Sequence, residues 1–170
     1  WPDMEKLMRE ASIELYGLES KDSLRNFDML GFTLQYEMSY TNILNMLDLS
    51  GIPIRASQRG DECPIVMCGG PCAYNPEPLY DIADLFVIGE GEEVINEILD
   101  VYTQYKDKGK RAFLRAVCTI EGVYVPSLYD VLYNDDNTLK EMVPKYADVP
   151  SKIRKRIISN FSEKIGKSVV

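Results

Sequence analysis

Two cysteines bracket a Gly-Gly-Pro turn in the stretch MCGGPCAYNPEPL, Met67–Leu79. A glycine pair after an apolar run lets backbone come close to a ligand, because no Cβ stands in the way. The thiols raise a second chemistry, metal or redox. Cys63, Cys68 and Cys72 follow the spacing Cys-x4-Cys-x3-Cys, and Cys118 stands apart. Neither a Cys-x2-Cys zinc pair nor a Cys-x2-Cys redox pair is present. Cys68 closes an apolar run and reads as a small core residue. The sequence contains no histidine. Imidazole ligation, histidine acid–base chemistry and Ser-His triads are therefore excluded within it. Asp28, Glu37 and Glu77 are carboxylates that could move protons, but no paired-carboxylate or nucleophile motif accompanies them.

Three segments carry residues suited to binding: TLQYE from Thr33, GGPCAYNPE from Gly69 and GEGEE from Gly89. Each follows an apolar run that reads as a strand. In an open parallel sheet ligands sit beyond the carboxyl ends of the strands. Taken singly, the segments have plain structural explanations: a tight turn, a proline-led helix start at Pro76-Glu77-Pro78, and an acidic helix cap. At matching strand ends they make one rim. Thr33, Gly69, Gly70, Pro71, Gly89, Glu90 and Gly91 are the expected binding residues.

The elements that must position this rim follow from periodicity. Helices are predicted over Pro2–Glu10 and around Tyr40–Leu49, where Tyr40, Ile43, Leu44 and Leu47 share a face. A short helix is expected over Pro76–Ile82, and longer ones from Glu92 to about Lys106 and from Lys110 to about Thr119. Four parallel strands are expected near Ile13–Leu18, Phe27–Leu34, Pro64–Cys68 and Leu85–Ile88. Alternating strands and helices with short connections mean right-handed crossovers in an α/β sheet. After Gly122 the pattern alternates apolar and polar residues through an NDDN turn, which predicts an antiparallel hairpin over Val123–Pro144. The fold class is thus α/β: a flavodoxin-like or Rossmann-like open parallel sheet with an appended C-terminal β-hairpin.

A hydrophobic fraction of 45% suits an ordinary globular core. The net charge of −8 argues against nucleic-acid binding. The charge is uneven: residues 1–150 carry −13 and residues 151–170 carry +5. The basic tail SKIRKRIISNFSEKIGKSVV reads as a solvated helix or linker. No apolar run is long enough to cross a membrane, and no signal peptide opens the chain. Reduced thiols and a cytoplasmic location are expected. Because the chain begins at Trp1, it is expected to be part of a longer protein.

The segment CGGPCAYNPEPLYDIADLFVIGEGEE resembles the Gly-Gly-Pro, Pro-Glu, Asp, Gly-Glu-Gly-Glu pattern of cobalamin-binding-like domains that precede radical S-adenosylmethionine (SAM) domains. WPDMEKLM, FDMLGFTLQYEMSYTNILNMLDLSGIPI and GVYVPSLYDV resemble one subgroup of these iron–sulfur oxidoreductase proteins, so the likeness covers most of residues 1–135. It implies a cobalamin-binding-like domain over 1–122, a hairpin extension over 123–150, and a basic linker over 151–170 toward a radical SAM barrel of the same polypeptide. It also implies that Thr33, Gly69 and Gly70 line a groove for the nucleotide tail of cobalamin.

Two family motifs are missing. The Asp-x-His-x-x-Gly motif that supplies an axial histidine has no counterpart, and neither does the Cys-x3-Cys-x2-Cys motif of the radical SAM cluster. A four-iron four-sulfur cluster and SAM are therefore expected only in the full-length parent, where catalysis would reside. The alternative is a ligand-free structural or interaction domain of the same fold. Relatives of this kind carry a further strand, which in the order 2-1-3-4-5 would lie between Ile13–Leu18 and Phe27–Leu34. Without it, either direct pairing of Ile13–Leu18 with Phe27–Leu34 or self-association through Phe27–Leu34 is expected, with weak or no cobalamin binding by this chain alone.

Overall fold

The structure is a computed structural model that describes residues 2–158. Helix α1 (Pro2–Glu10) begins with a proline, whose missing N–H is not needed in a first turn. Arg9 near its end reaches Glu5 at 3.0 Å and Asp48 at 2.8 Å, tying α1 to helix α2 (Tyr40–Leu49). Helix α2 turns Ile43 and Leu47 inward and ends at Gly51, whose φ of +65° no ordinary helical residue adopts readily.

The main sheet holds β1 (Met29–Thr33), β2 (Ile65–Gly69), β3 (Leu85–Val87) and β4 (Val123–Tyr124), in that order. Strands β1, β2 and β3 are parallel, with Thr33 opposite Gly69 and Cys68 opposite Phe86. Strand β4 is antiparallel to β3. Helices α3 (Gly91–Tyr105) and α4 (Lys110–Val117) bury Val94, Ile98, Phe113 and Val117, while α2 buries its own apolar side chains. These join Leu34, Val66, Leu85 and Phe86 in a single hydrophobic cluster. A separate two-stranded sheet follows, β5 (Tyr129–Tyr133) with β6 (Leu139–Pro144), irregular between Leu132 and Tyr133. The α/β class with an appended hairpin is as the periodicity implies. Among the described residues no helix is long and apolar enough to cross a membrane.

Four local readings are corrected. Ile13–Leu18 is not a strand of the sheet. Tyr16 only bridges Ser23, the Leu15 N–H donates to Leu49 O at 3.0 Å, and Leu18 is 81% exposed. Its apolar residues come from a connection lying along the end of α2, so the expected order around a missing strand does not hold and β1 is the sheet edge. Pro76–Ile82 gives only a 3-10 turn at Glu77–Leu79, because Pro76 and Pro78 withhold two helical donors. Val123–Tyr124 closes the sheet against β3 instead of opening the hairpin. The tail forms no helix as far as Ile158, and it is not freely solvated there: Arg156 forms a parallel bridge with Gly89. Residues 159–170 lie outside the described residues.

Candidate rim cleft

The carboxyl ends of β1, β2 and β3 face α3 across a cleft of about 420 Å³. Thr33, Gly69, Gly70, Gly89, Glu90 and Gly91 all line it; Pro71 does not. Gly31, Phe32, Met67, Val87, Glu92 and Ile95 complete the wall. Sequence reasoning named none of these six as binding residues, although Glu92 lies within the GEGEE segment. Gly31, a glycine inside an apolar strand, was the available signal for close approach by something else. The others are strand and helix residues that mark a cleft only once register is known.

The glycines do different work. Gly70 sits at φ +93°, and a Cβ there would stand 3.0 Å from the Thr33 methyl and 3.1 Å from the Leu34 N and O. Leu34 also donates its N–H to Gly69 O at 2.7 Å and accepts the Cys72 N–H at 3.0 Å. The Gly-Gly loop is thereby interlocked with the end of β1, so Gly70 is demanded by the protein's own packing. Gly91 is the reverse case: nothing lies within 4 Å of the space a side chain would take. Close approach of a ligand is open at Gly91.

Charge at the mouth is negative. Glu90, Glu92 and Glu93 crowd the start of α3, where the helix dipole favours them. Glu90 accepts the Ile158 N–H, and Arg156 pairs with Glu93 at 3.1 Å and with Glu97. The backbone of Arg156 donates to Ile88 O at 2.8 Å and accepts from the Glu90 N–H at 3.2 Å. The chain around Arg156–Ile158 is therefore held beside the cleft.

Cys68 and Cys118 belong to the core cluster and Cys72 packs against it. Cys68 is buried, and burial pushes its thiol up to about 12. All four cysteines are unbridged, and among the described residues no three His, Cys, Asp or Glu side chains converge to hold a metal ion. Asp28, Glu37 and Glu77 stand on separate elements and none lines the cleft. Asp28 accepts the Tyr102 hydroxyl at 2.9 Å, and burial raises the pKa of Glu77.

A buried ion cluster lies before β2 and β3. Asp84 takes Arg59 at 3.0 Å, Lys110 at 2.9 Å and the Val66 N–H at 2.8 Å. Arg59 spends its other donors on the carbonyls of Pro53, Ile54 and Ile82. Every partner is satisfied, which marks the cluster as a structural tie between loops.

Residues 1–126 match the family described as the N-terminal part of radical SAM proteins. The chain is also similar to an uncharacterized protein of Methanocaldococcus jannaschii, MJ0966, at 32% identity over 139 residues. That match takes in 74% of this chain and 30% of the relative, so the chain spans less than a third of that protein's length. No solved structure matches.

Proposed function

Because the chain belongs to the family of radical SAM N-terminal domains, we propose that it is the accessory domain ahead of a radical SAM barrel in one polypeptide. The barrel would hold the four-iron four-sulfur cluster and SAM and carry out the chemistry. The observation that carries this reading is the bridge between Gly89 and Arg156. It holds the chain against the mouth of the rim cleft as far as Ile158, the last described residue. Anaerobic assays test it. The whole polypeptide should reductively cleave SAM to 5′-deoxyadenosine, and this chain alone should not; a whole polypeptide that binds no iron–sulfur cluster contradicts the reading.

The finer reading is that the cleft receives the nucleotide tail of a cobalamin. At about 420 Å³ it suits a nucleotide-sized ring system and not a whole corrin. The Thr33 hydroxyl and the open side of Gly91 would line that tail. When bound, the cofactor would supply an alkyl-carrying cobalt to the barrel; this chain would hold and orient the tail. A ligand-free interaction domain is the second reading. It is favoured by the carboxylates at the mouth, Glu90 and Glu92, which disfavour a phosphodiester. Partners follow the same lines: the barrel in the intact protein, and a second copy along the bare β1 edge when this chain stands alone.

A further inference from the structure

A second cavity lies away from the rim cleft. It measures about 580 Å³, within the roughly 300–1,000 Å³ usual for small-molecule sites. It sits where the β5–β6 hairpin meets the body of the domain. One wall is the turn before β3 and the first turns of α4; the other is the chain around Pro126–Tyr129 and Lys145–Tyr146. Ala83, Leu114 and Leu128 give it an apolar lining.

Its charges are distinctive in a chain of net charge −8. Three aspartates line it, and each is already engaged. Asp84 is held by Arg59 and Lys110, Asp81 by Arg55 at 2.8 Å, and Asp61 accepts the Lys110 backbone N–H at 2.7 Å. Arg111, by contrast, forms no ion pair with a carboxylate among the described residues. Its guanidinium donates to the Tyr146 hydroxyl oxygen at 2.7 Å. That bond leaves the Tyr146 hydroxyl proton free to donate in turn. Lys145, at the same wall, donates to Ser127 O at 2.9 Å and lies 3.6 Å from Asp130, which uses only part of its donor capacity.

We propose that this interdomain cavity binds a small organic monocarboxylate with a ring or branched apolar body, its carboxylate held by Arg111 and the Tyr146 hydroxyl and its body lying against Ala83, Leu114 and Leu128. A guanidinium beside a hydroxyl donor offers a carboxylate two charge-assisted or directed hydrogen bonds. The apolar lining gives the body a place out of water, and a phosphate dianion would leave that lining unused. The site is independent of the rim cleft, so neither proposal stands or falls with the other.

Phenylacetate and its neutral counterpart phenylacetamide test the proposal by amide chemical-shift titration of this chain. Phenylacetate should shift residues 56–61, 110–114 and 127–129 saturably, with a Kd on the order of 1 mM, as expected for so small a ligand. Phenylacetamide should bind about tenfold more weakly, and Arg111→Gln should reduce phenylacetate binding by about the same factor. Arg111 is exposed on the first turn of α4, so the Gln variant should keep the unliganded spectrum; Tyr146→Phe provides a second variant, with a weaker loss. Equal binding of acid and amide, unchanged binding by Arg111→Gln, shifts confined to residues 89–92, or no saturable shift at roughly 10 mM would each overturn it.

Discussion

Gly89 and Arg156 lie side by side as a parallel bridge at the carboxyl end of β3. Gly89 holds φ +107°, and a Cβ on it would run into the Arg156 backbone. The same Arg156 sends its side chain to Glu93 and Glu97 on α3. One residue therefore ties this stretch of chain to both the sheet and the helix that frame the cleft.

Replacing Gly89 should loosen that tie. Gly89→Ala is expected to cost about 2 kcal/mol or more, from the positive φ and the collision together. Gly91→Ala, with open space and no such φ, should stay within about 0.5 kcal/mol of the parent. Urea denaturation of the two variants measures both. Equal stabilities would show that the bridge does not form.

The cluster around Asp84 makes a larger demand. Asp84→Asn leaves the fully buried Arg59 guanidinium and the nearby Lys110 ammonium without their carboxylate. A loss of about 3–5 kcal/mol is expected in the same denaturation experiment. A loss below about 1 kcal/mol would mean that water or another group takes the place of the carboxylate.

Glu77 gives a pH signature. Burial raises its pKa in the folded state. A carboxyl group whose folded pKa is raised favours the fold most when protonated, below its unfolded pKa, and that contribution fades as pH rises through the folded value. At pH 7, above the unfolded value, burial of this carboxyl group therefore opposes folding. Glu77→Gln should raise the melting temperature at pH 7 and give no gain near pH 3. An equal gain at both pH values would assign the effect to packing.

How much was legible in the sequence depended on which signals were local. The 3.6-residue spacing of Ile43 and Leu47, and the apolar runs of β2 and β3, recovered most elements close to their bounds. Ile13–Leu18 misled because a half-exposed connection can carry as many apolar residues as a strand; only pairing tells them apart. The rim was readable because its glycines and Thr33 all follow apolar runs, which in a parallel sheet end at one side. The role of Gly70 was not readable. Positive φ serves a ligand or the protein's own backbone equally well, and only the position of Leu34 decides between them. Arg59, Asp84 and Lys110 gave no local signal, since their pairing spans separate loops.

Strand β1 is the edge of the main sheet. Asp28 O and the Leu34 N–H both point to β2, so by alternation the N–H and C=O groups of Met29, Gly31 and Thr33 face outward. Such an edge is a template for a second strand. Sedimentation of this chain alone should show a concentration-dependent dimer. Gly31→Pro, which removes an outward N–H and no ladder bond, should shift it toward monomer. A monomer at all concentrations would remove self-association from the account.

The rim cleft is best tested with hydroxocobalamin titrated into the whole polypeptide and followed by its visible spectrum. The account predicts one cobalamin per chain, a Gly91→Val variant weakened at least about tenfold, and iron content and melting temperature unchanged by that substitution. Gly91 is the position to alter because its side-chain space is open and the substitution carries no backbone strain of the kind found at Gly70. Binding that Gly91→Val leaves untouched, or no binding to the whole polypeptide at roughly 100 μM cobalamin, would contradict the assignment of this cleft.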